Sequence, residues 1–529
     1  MRWGMTVCLL GLLASGRAAR AQSSGSGLAP SVDAYGRRPS AARLADAREV
    51  RARLGLVPEY EDLPGIASVK VAVLDYGFDG LGTGRPYLPS DAVVVEHYDP
   101  DFVRRFDLGD PSYRKAFESP NSHGRVVAQI VWAVTGSRPI GPKFFLLNAS
   151  GPTMLRRAVR FAIERRVDII LFSGSFEGGG NGDGRGPIDR IVGDALAAGI
   201  LWVNAAGNYG HRVYNGPVRV LPDGYLRLRD GSDVAALRFR NRLDENTVTV
   251  TLTWNDYREE EDAGTDKDLD LYVEDWAGRR IGAGEKVQVS GDRIPGPDES
   301  RNPRERVVLA DLPASPDLPA DPDYTYRIRL RAKRGRFTTS DRLRVLVSAT
   351  RDVYMPSGGD TPRAAIEFLD ATREGELYPP ADHPLVLTVG ETSPDSAVGP
   401  TADRRHKPDV VLEDSRAFFT DGQVSAGSSI AAAYVAGVVA VLKAAEPGLR
   451  PSHLLWLARQ GTAITRASAR VRTTRVTISP YPSYSSSTTG LSTYPTTSTT
   501  RLEPSMSLEL RGWRTPSRAR LAELVREGR

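Results

Sequence analysis

The chain has 529 residues, long for one domain, so two or three compact units with tails are expected. Its 40% hydrophobic and 26% charged residues are the composition of an ordinary soluble globular protein. The formal charge is +5 and falls to +2 without residues 1–21, because Arg2, Arg17 and Arg20 lie there and no acid does; that balance excludes a nucleic-acid binder.

Residues 1–21, "MRWGMTVCLLGLLASGRAARA", read as a secretory signal: Arg2 at the positive start, Thr6 to Ala14 as a short apolar core, and Ala19-Arg20-Ala21 as the cleavage site. That core is too short to span a bilayer, and no later segment approaches about 20 apolar residues. The protein is therefore expected outside the cytoplasm, extracellular or periplasmic, without stable membrane insertion. Cys8, its only cysteine, leaves with the signal, so no disulfide is expected.

A short extension, 22–44, leads into "SAARLADAREVRARLGLV", where Leu44, Val50 and Leu54 repeat at helical spacing. "SVKVAVLDYGFDG" predicts a buried strand from Val69 to Leu74 running into a glycine loop. Strand and helix signals then alternate: "FFLLNAS", "TMLRRAVRFAIERR", "VDIILFSGS", "PIDRIVGDALAAG" and "ILWVNAAGN". Continuous apolar strands separated by amphipathic helices predict an α/β fold with a parallel sheet covered on both faces, over residues 45–211. From 212 to 357 short alternating strands replace the helices ("VTVTLTWND", "DLDLYVED", "YRIRLRA", "LRVLVSAT"), which predicts an antiparallel β-sandwich. The α/β pattern returns over 358–470, so the sandwich is an insertion. Residues 471–529 combine a Ser/Thr/Pro/Tyr tract with a mildly basic stretch that can be helical at its end, and are expected to be a largely disordered, solvated tail, a surface-binding tag being the alternative.

Three positions expose one reactive side chain beside glycine. Asp75 ends the strand "KVAVLD", His123 opens the apolar helix of "NSHGRVVAQIVWAV", and Ser429 opens that of "GSSIAAAYVAG". In parallel α/β sheets, sites form at the carboxyl ends of strands and at the helix starts that follow. An Asp-His-Ser set there can work as nucleophile and charge-stabilised general base, and Asn208 of "VNAAGN" can donate its amide to an oxyanion. Taken singly, each has a plainer role: Asp75 and Asn208 as turn residues, His123 as a helix-start residue, Ser428 or Ser429 as an N-cap. Their joint order Asp, His, Ser is one of three known for the triad. Zinc chemistry is disfavoured because the six histidines show no paired ligand spacing.

These four segments resemble the motifs of the subtilisin-like serine proteases, or subtilases, over roughly residues 45–210 and 380–465. The resemblance implies Asp75, His123 and Ser429 as the triad and Asn208 as the oxyanion donor. It also places Ser173, Gly174 and Ser175 along the substrate cleft. Four departures bear on activity: Tyr76 follows the aspartate in place of a small hydroxyl residue, Arg125 and Gln129 replace threonine and glycine, and Ala433 replaces proline. "VVLEDS" stands where the family has an Ala-Pro-Gly loop. An inward Arg125 would oppose imidazolium formation, and an outward one would select acidic substrates.

The segment from Leu252 to Gly278 resembles the β-sandwich that accompanies many bacterial subtilases. Asp266, Asp268 and Asp270 there are candidate ligands for a structural calcium, the plainer reading being a solvated acidic loop. No cofactor is required for the chemistry. Only about fifty residues separate Ala21 from Asp75, so no full inhibitory prodomain is expected. The leading reading is a secreted, monomeric serine endopeptidase acting on proteins or peptides through an acyl-enzyme. The alternative is a catalytically weakened subtilase serving as an exported binding or scaffold protein. A sugar- or surface-binding protein built on the sandwich is a third class, and esterase activity is compatible with the same residues.

Overall fold

The computed structural model describes residues 47–78, 88, 93–95, 122–135, 142–228, 235–315, 324–458, 510–511 and 515–527, apart from short internal gaps. The expected signal and the Ser/Thr/Pro tract lie outside the described residues. Five strands come first in the chain: β1 (Lys70–Asp75), β2 (Val93–Val95), β3 (Lys143–Asn148), β4 (Ile169–Phe172) and β5 (Leu201–Ala205).

The insertion follows. It comprises β6 (Val213–Pro217), β7 (Leu237–Asn241), β8 (Asn246–Trp254), β9 (Asp268–Glu274), β10 (Arg280–Gly284) and the short pair β11 (Val287–Gln288) and β12 (Glu299–Ser300). It continues through β13 (Arg304–Leu312), β14 (Tyr326–Arg334), β15 (Arg342–Ala349), the short pair β16 (Val353–Tyr354) and β17 (Arg363–Ala364), and β18 (Ile366–Phe368). Then come β19 (Leu387–Glu391), β20 (Val410–Leu412), the hairpin β21 (Ala417–Phe418) and β22 (Val424–Ser425), and β23 (Leu510–Arg511).

The central sheet has the order β2-β3-β1-β4-β5-β19-β20-β23, parallel except for the β20–β23 pair. This is the expected α/β class. Alternate residues of its strands feed two cores. Val71, Val73, Ile169, Leu171 and Val203 face helices α2 (His123–Val134) and α5 (Ser428–Ala445). Ala72, Leu74, Ile170 and Phe172 face α3 (Pro152–Glu164) and α4 (Pro187–Ala197). Burial on both sides explains why these strands are apolar throughout; each buried Val, Leu, Ile or Phe is worth about 1.5–3 kcal/mol. Helix α5 is apolar and long enough to cross a membrane, but 89% of it is buried inside the fold, as the core helix of the sheet.

The inserted strands form two antiparallel sheets, β13-β8-β15-β6 and β10-β9-β14-β7-β18. Val248, Val250 and Leu252 of one meet Leu269, Leu271 and Val273 of the other in a separate core. The second sheet closes with β18, beyond residue 357. Chain exit and return are clamped by Glu376, whose Oε1 accepts the His211 N–H at 2.8 Å and whose Oε2 accepts the Val398 N–H at 3.1 Å.

The end of the chain corrects an expectation. Helix α6 (Arg518–Glu527) is not a solvated tail: Leu521 and Leu524 are buried in the main core. The segment docks on α1 (Ala47–Arg53) and the turn after it. The Thr515 hydroxyl donates to the Leu54 carbonyl at 2.7 Å, and the Tyr60 hydroxyl to that of Pro516 at 2.6 Å. Two leucines one helical turn apart supply the apolar stripe that a basic composition conceals.

Candidate active site

Asp75 is the last residue of β1 and is almost fully buried. Its Oδ2 lies 2.8 Å from His123 Nδ1, and its Oδ1 accepts the Tyr76 backbone N–H at 2.8 Å. Main chain thus does what the missing small hydroxyl would have done. The Tyr76 ring turns away, edge-on to Phe172, and its Oη lies where a Cβ on Gly174 would stand, only 2.0 Å off. Glycine at 174 is the condition for tyrosine at 76.

His123 opens α2, whose approach to β1 depends on Gly124: a Cβ there would be 2.5 Å from the Phe78 ring and 2.7 Å from Asp75 Cβ. Burial pulls the His123 pKa down, but the Asp75 charge and hydrogen bond override it and leave it above 6.5. Arg125 is buried along α2, with Nη1 donating to Gln129 Oε1 at 3.2 Å. It is therefore no outward selector of acidic substrates, and the charge that moves the imidazole is that of Asp75. The two departures form a pair.

Gly427, at φ +118°, turns the chain into α5 and presents two serines with different roles. The Ser428 hydroxyl is buried; it accepts the Gly207 N–H at 3.1 Å and donates to Asn208 Oδ1 at 2.9 Å. The Ser428 N–H reaches the same oxygen at 3.2 Å. With Oδ1 occupied by two donors, the Asn208 amide has its NH2 end free to serve the cleft. Ser429 is half-buried, with its hydroxyl on the Ser173 carbonyl at 3.1 Å, while the Ser173 hydroxyl returns to the Ser429 carbonyl at 3.3 Å. Ser429 sits at the positive end of an 18-residue helix, where a developing oxyanion is favoured.

Asp75, His123, Ser429, Asn208 and Ser173 to Ser175 therefore gather at the carboxyl ends of β1, β4 and β5 and at the starts of α2 and α5. Sequence reasoning overlooked the supports. Asn204 donates to the Gly174 carbonyl at 3.0 Å, pinning the cleft strand; an asparagine inside "LWVNA" was its signal. Glu391 binds the Ser415 hydroxyl, which accepts the Gly427 N–H at 3.0 Å, so the "VVLEDS" loop steadies the turn before Ser429.

A model of the subtilase family matches residues 67–477. The chain belongs to the subtilase family. A search of curated protein sequences found no match. Among solved structures, this subtilase is similar to the CspB protease of Clostridium perfringens, with TM-score 0.50 and 15% identity over 92% of this chain and 98% of that one. It is also similar to MycP1 from Mycobacterium smegmatis, with TM-score 0.31 and 15% identity over 82% of this chain and 81% of the other. The nisin leader peptidase NisP from Lactococcus lactis gives TM-score 0.33 and 12% identity over 79% and 89%. At 15% identity the likeness to the CspB protease concerns the fold alone.

The three candidate calcium ligands of the sandwich differ in their surroundings. Asp266 is exposed, and Asp270 Oδ2 is taken by the Tyr272 hydroxyl at 2.7 Å and Lys333 Nζ at 3.2 Å. Among the described residues, no three carboxylate, imidazole or thiol groups are arranged to hold a metal.

Proposed function

We propose that this subtilase is an exported serine endopeptidase that cleaves peptide bonds through an acyl-enzyme on Ser429. The observation that carries the reading is the His123 Nδ1–Asp75 Oδ2 pair at 2.8 Å, and Ser428, the neighbour of Ser429, is hydrogen-bonded to Asn208 at 3.2 Å. Asp75 keeps the proton on Nδ1, leaving Nε2 as the base. Ser429 Oγ turns from the Ser173 carbonyl, gives its proton to Nε2 and bonds to the substrate carbonyl carbon. The carbonyl oxygen becomes an oxyanion held by Asn208 Nδ2 and the α5 terminus. Collapse breaks the C–N bond, and the imidazolium hands its proton to the leaving amine. Water, deprotonated by the same nitrogen, then releases the acid and restores Ser429. No cofactor enters any step.

The departures at Tyr76, Arg125 and Gln129 would argue for a weakened enzyme, but Tyr76 leaves Asp75 held by main chain and Arg125 is engaged with Gln129. Export rests on the signal-like residues 1–21. The purified protein is expected to react with a fluorophosphonate and to hydrolyse a protein substrate, and Ser429→Ala to do neither. Labelling that persists in Ser429→Ala would remove the assignment.

A further inference from the structure

The carbonyl carbon under attack must sit between Ser429 Oγ and Asn208 Nδ2. Two backbone segments flank that point: Ser173 to Ser175, tied to Ser429 at 3.1 and 3.3 Å, and Gly207-Asn208, tied to Ser428. The side chain of the residue that donates the acyl group branches one bond from that carbon, next to the gap between the two segments. Here the gap is occupied. The Tyr209 ring crosses it: a Cβ on Gly207 would lie 2.5 and 2.6 Å from ring carbons, and the Tyr209 hydroxyl reaches Ser175 Oγ at 2.6 Å. Tyr209 is 2% exposed.

Beneath it, Tyr378 packs edge-on at 5.1 Å between centroids. Leu377, Val213 and Leu346 complete the cluster, Val213 on β6 and Leu346 on β15. The inserted sandwich thus backs the ring from behind. The far side is held too, since the Phe176 N–H donates to the Pro379 carbonyl at 2.8 Å. Withdrawing Tyr209 would break the bond to Ser175 and open a cavity under both flanking segments.

We infer that Tyr209, braced by Ser175, Tyr378 and the inserted sandwich, closes the acyl-side pocket and restricts this enzyme to bonds preceded by glycine, alanine or another very small residue. The inference rests on the peptidase reading. A pocket this shallow discriminates by exclusion: a leucine or phenylalanine side chain would meet the ring before its carbonyl reached Ser429.

The test uses the full chain and fluorogenic peptides that differ only in the residue before the cleaved bond. Glycine and alanine are expected to give kcat/KM at least about 100-fold above leucine and phenylalanine. Tyr209→Gly, shown folded by its melting curve, should raise leucine and phenylalanine at least about tenfold. Tyr209→Phe, which keeps the ring, should retain the small-residue profile. A wild-type preference for leucine or phenylalanine, or a folded Tyr209→Gly with an unchanged profile, overturns the inference. If Ser429 neither labels nor cleaves, the peptidase reading falls, and the pocket is read by calorimetry with acetylated tetrapeptides ending in alanine or phenylalanine. Tighter binding of the alanine peptide then supports closure; tighter phenylalanine binding, or none by either, overturns it.

Discussion

Gly124 and Asp75 are in backbone-to-side-chain contact: a Cβ on Gly124 would fall 2.7 Å from Asp75 Cβ and 2.7 Å from the Gly77 carbonyl oxygen. The same glycine donates its N–H to that carbonyl at 3.0 Å. The start of α2 is thereby pressed against the end of β1, and the 2.8 Å imidazole–carboxylate bond follows from that closeness.

Gly124→Ala should therefore separate His123 from Asp75. Overpacking of this kind costs about 1–3 kcal/mol in stability. Displacing a catalytic group by about 1 Å lowers the rate on the order of 100-fold. Melting temperature and kcat measured together check both effects, and full activity would show that α2 can shift without cost.

Asn208→Ala should lower kcat by about 100- to 1,000-fold with little change in KM, as expected for a donor used only in the transition state. Ser428→Ala removes one of two bonds orienting Asn208 Oδ1 and should lower kcat by about tenfold, the worth of one hydrogen bond. Ser428→Thr should restore it. Steady-state kinetics on the three variants separate orientation from donation.

The pH dependence of kcat/KM should show an acid limb set by His123. Burial lowers its pKa, and Asp75 more than compensates, so the midpoint is expected above 6.5. Only neutral imidazole accepts the serine proton, so activity rises with pH through that value. Asp75→Asn removes the raising influence and leaves burial, which should move the midpoint below 6.5 and cut the rate severely.

Stability should fall as pH rises from about 4 to 7. Burial pushes Glu305 and Glu376 from 4.5 up to about 7, and Asp268 from 3.8 up to about 6. Between the unfolded and folded values the native state holds more protons, so deprotonation favours the unfolded chain as pH increases. Denaturant midpoints across this range check the sign, and Glu305→Gln should flatten the slope while preserving the contact with Gln288. A midpoint that rises over the same interval would contradict the assignment.

Leu521→Ala and Leu524→Ala should each cost about 2–5 kcal/mol, because both side chains are fully buried. A change near zero would mean that α6 contributes nothing to the core.

Much of this protein was legible because parallel strands buried on both faces must be apolar, and "VKVAVL", "DIILF" and "ILWV" are. The candidates Asp75, His123, Asn208 and Ser429 stand out because each lies near glycine at the end or the start of an apolar run. The insertion was visible as a change of period, although β18 extends it past the expected boundary. The helical end of the chain is legible but its docking is not, since two leucines among arginines look solvated until a partner surface is known. Arg125 was undecidable for a similar reason: its direction depends on Gln129 and on what packs around α2.

The sequence alone determined the family and the sheet and marked Ser429 as the candidate nucleophile, because these depend on periodicity and on residue types in a recurring order. Tertiary structure decided how the departures are accommodated: the Tyr76 main chain holds Asp75, Arg125 pairs with Gln129, Ser428 orients Asn208, and Tyr209 closes the gap beside Ser429. Those are contacts between residues distant in the chain or turned by local backbone, and hydrogen bonds and steric exclusion act over distances of a few ångströms that only the folded chain sets.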